Sequence, residues 1–87
     1  MNYAVHLSAH TRSYLRRIPR TQWTRVDSRL RELAVDPYDP NISKLLHGGD
    51  AMRSSRVGSL RILYLVEDEV RVVDVVDIGP RGDIYRR

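Results

Sequence analysis

Polar and apolar residues alternate from Asn2 to Leu7, with Tyr3, Val5 and Leu7 on one side. That period of two predicts a half-buried strand. Ser8 has the side chain of an N-cap, and Tyr14, Leu15 and Ile18, spaced by three and four, predict a short helix to about Ile18. Pro19 ends it, because proline disfavours the helical region for the residue before it. Trp23, Val26, Leu30, Leu33 and Ala34 form an apolar stripe that predicts a second helix from about Thr21 to Val35, stopped by Asp36-Pro37. Trp23 is read as core.

Asp36 to Asp50 is rich in turn residues, and Leu45 and Leu46 are expected to anchor this loop. Three strands are predicted after it: Met52 to Val57, Leu60 to Glu67 and Val70 to Ile78. Gly58-Ser59 suits a two-residue hairpin turn, and Asp68-Glu69 a second turn. A terminal piece runs from Gly79 to Arg87. The order β-α-α-β-β-β predicts an α+β fold in one domain spanning 1–87: an N-terminal strand, an antiparallel helical hairpin, then an antiparallel β-meander forming a curled sheet. Trp23, Leu30 and Leu33 would face Leu63, Leu65, Val73 or Val75, depending on register.

Composition narrows the chemistry. The 87 residues contain no cysteine, which excludes disulfide scaffolds, thiol nucleophiles and iron–sulfur sites. The longest apolar run, Ile62 to Val66, is too short to cross a bilayer, and no secretory leader is evident, so a soluble, cytoplasmic protein without membrane partners is expected. Fifteen basic residues against eleven acidic give a net charge of +4, and every basic residue but Lys44 is arginine. Seven arginines and one acid, Asp27, lie between Arg12 and Arg31. A solvated basic face and a polyanion-binding face both fit this charge. The histidines His6, His10 and His47 lack metal-site spacing, and no metal or cofactor is expected.

A true two-residue turn at Gly58-Ser59 sets Val57 against Leu60 and Arg56 against Arg61. Like charges facing each other on neighbouring strands are destabilising unless an anion or a carboxylate neutralises them. Asp74 or Asp77 on the next strand could supply the carboxylate; a phosphate-binding sheet face is the other reading. Spacing alone does not choose between them. Arg81, just past Gly79-Pro80, and Tyr85, four residues on, could join the same face.

The run from Arg56 through Gly58 and Arg61 to Tyr64, followed by Asp77-Ile78-Gly79-Pro80-Arg81 and Tyr85, resembles the RelE/ParE superfamily of bacterial toxins. The Asp36-Pro37 stop and Lys44-Leu45 ahead of Gly48 agree with it. The resemblance implies a RelE-like, microbial-RNase-like fold and a type II toxin paired with an acidic, partly disordered antitoxin. It further implies a metal-independent endoribonuclease that cuts mRNA in the ribosomal A site, the 2′-OH attacking the adjacent phosphodiester. It assigns catalysis to Arg61, Arg81 and Tyr85, and substrate binding to Arg56, Arg53 and Lys44. Ser54 stands where that family carries the first of two basic residues; Arg53 is adjacent, although strand alternation would turn it to the opposite side. The alternative within the resemblance is a ParE-like DNA gyrase inhibitor that cleaves nothing.

Overall fold

A computed structural model describes residues 2–46 and 51–80. The elements are β1 (Ala4–Leu7), α1 (Ala9–Leu15), α2 (Arg20–Val35), β2 (Lys44–Leu45), β3 (Arg53–Val57), β4 (Leu60–Glu67) and β5 (Val72–Pro80). They build one five-stranded sheet in the order β1-β5-β4-β3-β2, with the apolar faces of both helices against it. None of the described helices is long and apolar enough to cross a membrane.

The meander β3-β4-β5 is antiparallel as the alternation predicts. β1 joins it differently, pairing parallel with β5 from Ala4↔Val72 to Leu7↔Val75. β2 is an addition: Lys44 and Leu45 pair with Ser54 and Arg53 at the far edge. Leu45 is therefore exposed, and Ile42 and Ser43 turn inward from this loop instead. The short edge strand leaves the outer edge of β3 open beyond Ser54.

Ser8 caps α1 through a hydrogen bond from the Thr11 amide to its hydroxyl at 3.1 Å. That helix ends at Leu15, three residues before Ile18, as the Arg17 amide closes a tighter turn onto the Tyr14 carbonyl ahead of Pro19. In α2, Val26, Leu30 and Leu33 are buried as their spacing requires. Trp23 is not core: it is 42% exposed, because the first turn of α2 carries its ring outside the cluster its stripe mates enter. The face that meets the helices is Leu60, Ile62, Tyr64, Val73, Val75 and Ile78, so Leu63 and Leu65 point to the other side.

Two turns set the register. Gly58 has φ +58 and Ser59 a negative φ, the pattern of a type II′ hairpin turn with glycine first. Val57 then pairs with Leu60 and Arg56 with Arg61. The β4–β5 connection is a four-residue loop, Asp68 to Arg71, longer than the Asp68-Glu69 pair suggests, and it places Arg71 at φ 57. A bulge between Leu63 and Tyr64 leaves Val76 without a cross-strand partner.

Candidate functional site

On the sheet face turned away from the α2 core, the register brings Arg56, Arg61 and Ser54 together on neighbouring strands. Lys44 pairs with Ser54 and shares that side. A cleft of about 280 Å³ opens there at the sheet edge. Arg29, Lys44, Ser54, Arg56 and Arg61 line it, with the segment from Pro40 to Ser43 as one wall. Four of those side chains are cationic, and among the described residues none of the lining is a carboxylate.

Arg61 forms the floor. It is 3% exposed, and its Nη1 donates to the Ser54 hydroxyl at 3.2 Å. A buried guanidinium needs such partners, since taking it out of water is costly without them. Ser54, small and fully buried, gives Arg61 both room and an acceptor. Arg56 stands opposite it and is exposed. An anion entering the cleft would meet the buried fork of one arginine and the exposed fork of the other, an arrangement that suits a phosphate.

Arg29 is the cleft residue that sequence reasoning missed. Its Nη1 donates to the Arg56 carbonyl at 2.7 Å and to the Ser55 hydroxyl at 2.8 Å, and its Nε to Glu32 at 2.9 Å. It thereby covers the stretch of β3 edge that β2 leaves unpaired. A signal was present: Arg29 lies three residues after Val26 and four before Leu33, so helical phase places it on the flank of the buried stripe.

Arg53 does not join the cluster. Strand alternation turns it to the other face, where its guanidinium lies 5.1 Å from the Tyr38 ring centre and its Nε donates to Ser43 at 2.8 Å. It supports the wall rather than lining the cleft. Tyr64 holds the same wall from inside, donating to the Pro37 carbonyl at 2.7 Å and pairing with the Ser43 hydroxyl. Burial raises the Tyr64 pKa. Farther out, Tyr3 and Tyr38 each donate to one oxygen of Asp68 at 2.6 Å. Those two bonds lower the Asp68 pKa, and the same bond pushes Tyr38 up to about 12.

The two candidate carboxylates part company. Asp74 faces His6, whose Nδ1 lies 3.0 Å from it. Asp77 is buried on the Arg61 side of the sheet, and His10 Nε2 lies 3.3 Å from it. Among the described residues no cluster of three or more His, Asp or Glu could hold a metal ion. Arg81, Tyr85 and His47 lie outside the described residues.

Comparison with known proteins adds a family and a fold. The family model described as "ParE toxin of type II toxin-antitoxin system, parDE" matches residues 5–85. No curated protein matches significantly. Among solved structures, the RelE–RelB complex from Pyrococcus horikoshii OT3 matches at TM-score 0.82 and 24% identity, over 95% of this chain and 99% of that one. The toxin–antitoxin complex RelBE2 from Mycobacterium tuberculosis matches at TM-score 0.80 and 25% identity, over 93% and 100%. The isolated RelE toxin of E. coli matches at 0.78 and 22%, over 95% and 90%.

Proposed function

Since the chain belongs to the ParE toxin family of type II toxin–antitoxin systems, within the RelE/ParE superfamily, we propose that it is the branch of toxin that cuts RNA: a ribosome-dependent endoribonuclease acting on mRNA in the A site. The carrying observation is the cleft in which Arg61 and Arg56 face each other with Arg29 and Lys44 alongside, four cations among its described lining residues. Such a site suits the phosphates of an RNA backbone.

Cleavage follows from the chemistry of RNA itself. The 2′-oxygen attacks the adjacent phosphorus, the P–O5′ bond breaks, and a 2′,3′-cyclic phosphate remains. Negative charge grows on the phosphoryl oxygens along the way. Donors already fixed in place stabilise that charge without reorganising; removing one such donor typically slows a reaction about 10²–10³-fold. Arg61 fits this role, Arg56 and Lys44 hold the flanking backbone, and Arg29 fixes the strand edge on which Arg56 stands. Arg81 and Tyr85 are assigned to the leaving-group side and to the substrate base. The partner is a cognate antitoxin whose acidic, partly disordered segment covers the cationic face; folding of such a segment on contact suits a surface of this charge.

The name of the matching family model favours a second reading, a gyrase inhibitor. The two separate in one experiment. The purified chain is added to ribosomes paused on a defined mRNA, RNA ends are mapped, and gyrase supercoiling is assayed in parallel. New ends within the A-site codon, abolished by a 2′-deoxy substitution at the cut, are expected, with supercoiling unaffected. Blocked supercoiling with intact mRNA would overturn the nuclease reading.

A further inference from the structure

The cleft does not end at Arg29. That side chain also lines a second hollow of about 270 Å³, which opens between α2 and the β3–β4 turn. Thr24, Arg25 and Ser28 line it from the helix, and Val57 and Gly58 from the hairpin. Glu32 is the acidic residue of this lining, and it is already engaged, since Arg29 Nε donates to it at 2.9 Å. Arg25 and Arg29 stand at i and i+4 on α2, which sets their Cβ atoms about 5–6 Å apart on one face. Arg29 ties that face to β3 through the Arg56 carbonyl at 2.7 Å. The same docking lays the Arg25 guanidinium over the turn, where a Cβ on residue 58 would lie 3.1–3.3 Å from its atoms. Gly58 thus gives the fork its room as well as making the turn. Arg25 is exposed, and among the described residues it has neither a carboxylate nor a hydrogen-bond partner. The hollow therefore presents one uncommitted cation beside a backbone turn, with the Ser28 hydroxyl three residues on along the same helix face.

We infer that this hollow is a subsite for a phosphodiester flanking the one held in the cleft, with Arg25 and Ser28 as its donors. This rests on the reading of the cleft as an RNA site. Proteins that hold a single strand do so along a cationic groove that tracks several linkages rather than at one phosphate. Here the groove has two chambers that share the Arg29 side chain as their partition. Arg61 and Arg56 face the linkage in the first chamber. Arg29, committed to Glu32, Ser55 and the Arg56 carbonyl, forms the ridge. Arg25 waits in the second. Its planar fork can lie against the turn and still offer two donors to one phosphate, which the point charge of a lysine does less well. Arginine and serine contacts to phosphate oxygens fix the register of a nucleic acid without reading its bases. The subsite therefore positions the strand and selects no sequence.

The test is the affinity of the natural chain, Arg25→Gln and Arg25→Lys for a short 2′-O-methyl oligoribonucleotide, which cannot be cleaved. A neutral methylphosphonate is placed at each linkage of the oligomer in turn, and the melting of every variant is recorded. Arg25→Gln is expected to melt with the natural chain and to bind about 3–10-fold more weakly. Arg25→Lys should recover part of that loss. One linkage should exist at which the methylphosphonate weakens the natural chain by the same factor and Arg25→Gln no further. Equal affinities for the natural chain and Arg25→Gln would overturn the subsite, and so would a loss that couples to none of the linkages. Either result leaves the nuclease reading standing, because cleavage on the ribosome is scored separately. A natural chain with no measurable affinity for the oligomer would remove the RNA cleft and the subsite together.

Discussion

At the residue scale, Arg56 and Leu33 separate what the site needs from what the fold needs. Arg56 faces Arg61 across a strand pair, and a like-charge pair in that position costs roughly 0.2–1 kcal/mol. Arg56→Ala is therefore expected to leave stability unchanged or raise it by up to about 1 kcal/mol while weakening RNA binding; urea unfolding and oligonucleotide titration would read the two effects. Leu33 is fully buried, so Leu33→Ala should cost about 2–5 kcal/mol. Trp23→Ala should cost much less despite the larger side chain removed, because the ring is 42% exposed. Equal losses for the two variants in parallel melts would contradict the exposed placement of Trp23. The stripe containing both residues reads identically in sequence; which end of a helix overhangs the sheet is a tertiary fact that periodicity does not carry.

At the scale of elements, the β3–β4 hairpin and the tyrosine contacts around Asp68 have different dependences. Gly58 needs φ +58, and a Cβ there would come within 3.1–3.3 Å of the Arg25 guanidinium. Gly58→Ala should destabilise by about 1–2 kcal/mol, read as a fall of several degrees in melting temperature. A melting temperature equal to the natural chain's would show that the turn does not require glycine. The Asp68 bonds respond to pH in both directions. The folded state lowers the Asp68 pKa, so its contribution is present above the ordinary carboxyl range and lost as pH falls through the folded value. It raises Tyr38 from 10.0 to about 12, so that contribution is intact below pH 10 and lost between about 10 and 12. Melting from pH 9 to 11 should show a steeper alkaline loss for the natural chain than for Tyr38→Phe; superimposable curves would argue against the Tyr38–Asp68 bond. The hairpin was legible because its glycine and its flanking alternation are local. The Asp68 contacts were not, since Tyr3, Tyr38 and Asp68 are brought together only when β1, the loop after α2 and the β4–β5 loop converge.

For the whole molecule, the fold gathers four of the fifteen basic residues, Arg29, Lys44, Arg56 and Arg61, around one cleft. Helix α2 and the meander were readable because periods of 3.6 and two are written into neighbouring residues. The parallel docking of β1 on β5 and the entry of Arg29 into the cleft depend on contacts between distant segments, which leave no such period. The Arg56–Arg61 pairing stood between, derivable once the turn was known to hold two residues. The alternatives for its counter-charge resolve unequally: Asp74 belongs to His6, while Asp77 shares the Arg61 face and meets His10. If the four cleft cations neutralise RNA phosphates, affinity for an unstructured oligoribonucleotide should fall with salt at a log–log slope of about −3. A slope near zero would mean that the cleft does not hold the backbone.

The most direct measurement is single-turnover cleavage of ribosome-bound mRNA by the natural chain and by Arg61→Ala, with the melting of both recorded first. Cleavage by the natural chain is expected, slowed about 10²–10³-fold in a variant that remains folded. Undiminished cleavage by folded Arg61→Ala, or none by the natural chain, would contradict a phosphodiester-cleaving site built on Arg61.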